Sequence, residues 1–220
     1  RRRIVAAGIA GLVLALLVAG GMLAFGGAGG DAEGDAQSPP KPPVLPRGGR
    51  TVLPDFRVVA YYGAPQDDEL GILGIGPPAR AARRLERQAR PYARPGRPVL
   101  PALELIAAIV TSEAGDGGDH SMRQSAAVID RYLRVARRHH MLLLLDIQPG
   151  YAPFLQEAKA LERWLKEPDV GLALDPEWHV APDEIPGQVI GSVDSDTVNR
   201  ISAHLAAVTA QDQLPQKLFV

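Results

Sequence analysis

Two short apolar runs that each stop on acid constrain this chain most: Met141-Leu142-Leu143-Leu144-Leu145-Asp146 and Val170-Gly171-Leu172-Ala173-Leu174-Asp175-Pro176-Glu177-Trp178. Neither alternates polar with apolar residues, so both fit strands buried on two faces, as in a parallel sheet wrapped by helices. In such sheets ligands meet the carboxyl ends of the strands. Asp146, Asp175 and Glu177 stand at those ends and mark a candidate site.

The remainder of the sequence alternates in the same sense. Strand-like runs start near positions 58, 99, 141, 170 and 217, and helix-like stripes lie between them. Pro77-Pro78 suits a first helical turn, Ser121-Met122-Arg123-Gln124 reads as a capping box, and Asp194 reads as the cap of a later helix. This order predicts an α/β fold with right-handed parallel crossovers. The expected closure is a (β/α)8, TIM-like barrel truncated after about four and a half units, since a complete barrel takes about 250 residues. The alternative is an open doubly wound sheet.

Ahead of that domain the chain changes character twice. Arg1-Arg2-Arg3 precede an uncharged apolar stretch from Ile4 to Phe25, so residues 1–25 read as a signal anchor or a signal peptide, with residues 4–25 as the membrane partner. Residues 26–54 are rich in Gly, Pro and acid and read as a linker, leaving residues 55–220 as the amino-terminal part of the barrel domain. The expected address is the cell membrane with an extracytoplasmic domain, or secretion. A formal charge of -1 gives no field for nucleic acid, and the absence of cysteine removes disulfides, thiolate metal sites and a cysteine nucleophile.

Asp175 and Glu177 are two residues apart and share a face if the strand continues through them. Paired carboxyls of this kind serve glycoside cleavage, one protonating the leaving oxygen while another acts as nucleophile, base or stabiliser of positive charge. Glu177 is the expected acid, and Asp175 or Asp146 the stabiliser or base. Trp178 offers a surface for sugar stacking, Gln148 a hydrogen bond to a hydroxyl, and His179 a polar rim group. Glu104 lies inside the apolar run Leu103 to Val110, where a lone carboxyl needs a partner or a ligand. Tyr61 and Tyr62 end the first strand, one placed to face sugar and the other the core. Gly71, Gly74 and Gly76 have the wrong spacing for a dinucleotide fingerprint, so no cofactor is expected; His179 beside the acids is the one candidate metal ligand, and a capping or rim role is preferred for it, so no metal is expected.

The strings Tyr61-Tyr62-Gly63-Ala64-Pro65, Leu144-Leu145-Asp146-Ile147-Gln148-Pro149-Gly150 and Leu172-Ala173-Leu174-Asp175-Pro176-Glu177-Trp178 resemble a group of exported actinobacterial proteins with a (β/α)-barrel domain. The Asp-x-Glu at the fourth strand is similar, more distantly, to barrel glycosidases of the chitinase and Chalaropsis-lysozyme types, without the longer acidic string of chitinases. The resemblance implies a membrane-tethered or secreted glycoside hydrolase-like protein acting on envelope or environmental polysaccharide. A non-catalytic carbohydrate-binding or envelope scaffold protein of the same fold is the alternative, with a polysaccharide or other polar extracellular ligand as partner in either case.

Overall fold

The computed structural model describes residues 41–115 and 117–220. Its elements are β1 (Arg57–Gly63), α1 (Pro78–Ala89), β2 (Val99–Val110), β3 (Ser121–Arg123), α2 (Ala126–Arg138), β4 (Leu142–Ile147), α3 (Phe154–Ala160), α4 (Glu162–Leu165), β5 (Val170–Leu174) and α5 (Ser195–Gln211). The sheet runs β1-β2-β4-β5, all parallel, with β3 antiparallel on the end of β2. Beyond α5 the chain returns to the β5 edge, where Phe219 bridges Leu172 in parallel and Val220 donates its N–H to the Leu172 carbonyl. The expected α/β class is present. Strand order follows chain order throughout, whereas a doubly wound sheet reverses direction at a switch point.

The apolar runs are buried on both faces. One face carries Leu103, Leu105, Leu143, Leu145 and Leu172 against the helices, packed with Leu85, Ile129, Tyr132, Phe154 and Ile201. The opposite face carries Leu100, Ala102, Leu142 and Leu144 at its lower end, against Leu45, Val52 and Phe56. Leu45 is 2% and Val52 1% exposed, so the last part of the stretch read as linker is core. Its backbone is clasped from far along the chain. Gln216 Oε1 accepts the N–H groups of Val52 and Leu53, and the Arg50 guanidinium donates to the carbonyls of Gln213 and Leu214. Single apolar residues among Pro and Gly carry no periodicity, and their partners lie at the other end of the domain.

Two sequence expectations are corrected. Ser121 to Arg123 form the short strand β3 instead of opening a helix, and the cap of α2 is Ser125, whose side chain accepts from the Val128 N–H. The expected membrane partner, residues 4–25, lies outside the described residues, and among those described no helix is long and apolar enough to cross a membrane. A bilayer-spanning helix needs about 20 apolar residues in a row.

Candidate functional site

Register places the polar residues of the inner face in rows. Tyr62, Glu104 and Leu144 are aligned across β1, β2 and β4, and Ile106, Asp146 and Ala173 are aligned one step further toward the carboxyl ends. Gln148 and Asp175 follow directly after β4 and β5, the Asp175 N–H donating to the Ile147 carbonyl. Side chains alternate between faces along a strand. The face that is apolar near Leu100 and Leu142 therefore becomes acidic at the end where ligands meet parallel sheets.

The Tyr62 hydroxyl donates to Asp175 Oδ2 at 3.0 Å, and Gln148 Nε2 donates to the Tyr62 hydroxyl at 2.9 Å and to Asp175 Oδ2 at 3.2 Å. The Val110 N–H, donating to Gln148 Oε1 at 3.2 Å, sets which end of the amide faces Asp175. Tyr62 and Asp175 belong to strands three positions apart, about 14 Å across a flat sheet on which side chains stand parallel to one another. Their hydrogen bond requires a concave inner face, so that side chains from β1 and β5 converge above β2 and β4.

Beneath this bridge Asp146 is 1% exposed, and its Oδ1 has no hydrogen-bond partner. Burial, and then the charges of Asp175, Glu104 and Glu177, push its carboxyl up to about 9, so it carries a proton at neutral pH. Burial and the charge of Asp175 push Glu104 up as well. The Tyr62 hydroxyl is raised by burial and by Asp146 and Asp175, and it stays a donor at any physiological pH.

Of the other expected site residues, Glu177 and Trp178 follow Asp175 on the next turn, and Tyr61 and His179 are held elsewhere. Tyr61 points to the opposite face, buried, with its hydroxyl donating to Gln88 Oε1. Asp175 and Glu177 do not continue one strand: β5 ends at Leu174, and Pro176 to Trp178 form a 3-10 turn that leaves Glu177 exposed. Proline fixes its own φ and has no N–H for a sheet ladder, which ends the strand there. Trp178 is half-buried on that turn. His179 faces away, Nδ1 paired with the Ser192 carbonyl at 3.0 Å and its ring against Phe154. Among the described residues no group of three or more His, Asp or Glu is placed to hold a metal ion.

The sequence reading missed the support beneath Gln148. The Ser121 hydroxyl donates to the Gln148 carbonyl at 3.1 Å, and the Tyr151 N–H donates to the Asp119 carbonyl at 2.8 Å, so the loop before β3 holds the exit of β4. Gly150, at φ 59°, makes that approach possible: a Cβ there would lie 2.0 Å from the Asp119 carbonyl oxygen. The Pro-Gly pair is the only local signal of it. Two clefts, of about 730 and 620 Å³, lie away from the carboxyls, one along α5 and Phe219 and one around Thr111, Asp119 and Glu157.

Chemically, the inner face combines a proton-bearing carboxyl with a neighbouring carboxyl whose Oδ2 is fixed by two donors. That pairing suits proton transfer to and from a substrate oxygen. No family model, no curated protein and no solved structure matches the chain.

Proposed function

We propose that this chain builds the wall of a (β/α)-barrel glycoside hydrolase acting on polysaccharide, with Asp175 meeting the substrate beside the buried carboxyl of Asp146. One observation carries the reading: the Asp146 carboxyl is buried on the inner face with its Oδ1 unpartnered, on the same face as Asp175, whose Oδ2 is held by Tyr62 and Gln148. Sequential strand order and a concave inner face support the barrel, because closing a sheet on itself demands both. Asp146 lies sealed in the face, and Asp175, half-exposed, is the carboxyl that meets substrate. Tyr62 and Gln148 occupy its Oδ2, which leaves Oδ1 to address the glycosidic oxygen. Glu177, the acid expected from sequence, faces solvent from the next turn and is the carboxyl left to activate water or to stabilise positive charge at the sugar carbon.

The test is hydrolysis of a polysaccharide panel by the full chain and by Asp175→Asn, with circular dichroism to confirm that the variant folds. Turnover by the parent chain and a loss of about 10²-fold or more in the variant is the expected result for removal of an acid/base group. Saccharide binding without turnover moves the protein to the non-catalytic binding reading. Turnover unchanged in Asp175→Asn overturns the assignment.

A further inference from the structure

The chemistry of the inner face makes no use of the cleft of about 620 Å³ at the rim of the sheet. Its walls come from Thr111 to Glu113 after β2, from Asp119, from all three residues of β3 and from Glu157 of α3. The cleft holds none of the inner-face carboxyls, yet one wall is linked to them by a short relay. Ser121 Oγ donates to the Gln148 carbonyl, and Gln148 Nε2 donates to Asp175 Oδ2. Cleft and carboxyls therefore stand at the same ends of the parallel strands, where one extended ligand meets both.

One wall is rigid and polar. Glu157 is 3% exposed and takes Arg123 in a fork, Nε and Nη2 each donating at 2.7 Å. A buried carboxylate gripped in this way fixes the plane of the guanidinium. Arg123 is nonetheless half-exposed, and its Nη1 has no acceptor among the described residues. Acceptors surround that donor. The Thr111 hydroxyl gives its hydrogen to the Glu113 carbonyl at 2.7 Å and keeps its lone pairs, and the side chains of Glu113 and Asp119 enter none of the ion pairs among the described residues. Met122, 49% exposed, adds an apolar surface. Fixed N–H groups, free carboxylate oxygens and one apolar side chain match a sugar ring, whose hydroxyls both donate and accept around a C–H face. Two carboxylates beside a guanidinium that Glu157 already neutralises turn away an acidic sugar.

We propose that this cleft is a second saccharide subsite, holding a neutral sugar unit of the same polymer that meets Asp175. The inference rests on the polysaccharide reading and adds the path and the charge of the bound chain. Arg123 is there a specificity-determining residue, with Glu157 as the group that positions it.

The experiment is calorimetry on the full chain with cellobiose, cellohexaose and hexagalacturonate, repeated on two variants whose folding is checked by circular dichroism. Ser112→Trp fills the cleft from an exposed position. Arg123→Met with Glu157→Met removes donor and anchor together, because losing Arg123 alone would strand a buried charge. The expected result is that the parent binds cellohexaose at least about tenfold tighter than cellobiose and hexagalacturonate more weakly than cellohexaose, and that each variant loses the length preference while keeping its affinity for cellobiose. Equal affinity of the parent for cellobiose and cellohexaose, or a length preference that survives in either variant, overturns the subsite and leaves the polysaccharide reading standing. Tighter binding of hexagalacturonate than of cellohexaose overturns the neutral-sugar assignment. Loss of cellobiose as well as cellohexaose in folded Ser112→Trp places the sugar in the cleft instead of at Asp175 and overturns both readings, as does the absence of any saccharide binding.

Discussion

Asp146 destabilises the fold it belongs to as pH rises. Its carboxyl ionises at an ordinary 3.8 in the unfolded chain and holds its proton up to about 9 in the folded one. Below about pH 4 both states are protonated and the difference vanishes; between there and about pH 9 only the unfolded state gains by ionising, so stability falls across that window. Asp146→Asn removes the titration. It should therefore stabilise the protein at pH 7 by an amount on the order of a few kcal/mol, and by much less at pH 4. Urea denaturation at the two pH values checks this, and an equal effect at both would show that Asp146 ionises freely in the native state. The sequence made Asp146 visible because an acid after four leucines stands out, but it ranked Glu177 above it. What separates the two is the turn at Pro176, which exposes Glu177, and the concavity of the sheet, which buries Asp146 beneath Tyr62. The first is written locally in Pro176, which ends the strand; the second follows from packing that no local pattern encodes.

The parallel strands were legible because each is an unbroken apolar run with a helix-length interval to the next. β3 was not: three residues, Ser121 to Arg123, pair with Val110 to Ala108 and have too little length to show a period. The exit of β4 is the element-level feature with the clearest consequence. Gly150 combines a left-handed backbone with contact on the carbonyls of Asp119 and His120. Gly150→Ala meets both obstacles, and the backbone oxygens cannot swing aside as a flexible side chain would. We expect a destabilisation of at least about 2 kcal/mol in denaturant titration, since strain at such positions is worth about 1–3 kcal/mol before any clash is added. Saccharide affinity should fall as well, because Gln148 hangs from the same turn. A variant as stable as the parent would mean that the loop before β3 can move away from β4 at little cost.

At the scale of the whole molecule, sequence and structure agree on parallel units laid down in chain order, and they part at the segment from Leu45 to Pro54. That segment looks like tether and is a plug under the inner face, held by contacts more than 160 residues away in sequence, as with Gln216 to Val52 at a separation of 164. Gln216→Ala removes the acceptor of two amides at once. Hydrogen exchange should then speed up at Val52 and Leu53 well before it changes in β4, because local opening follows the contacts that hold a segment down. Unchanged protection at Val52 would show that apolar packing alone retains the plug. The clasp also has a meaning in time. A ribosome delivers Val52 164 residues before Gln216, so the emerging chain must carry a seated or solvent-exposed apolar strip until that clasp is made. The floor of the inner face is fastened only when Gln216 has emerged to accept the amides of Val52 and Leu53.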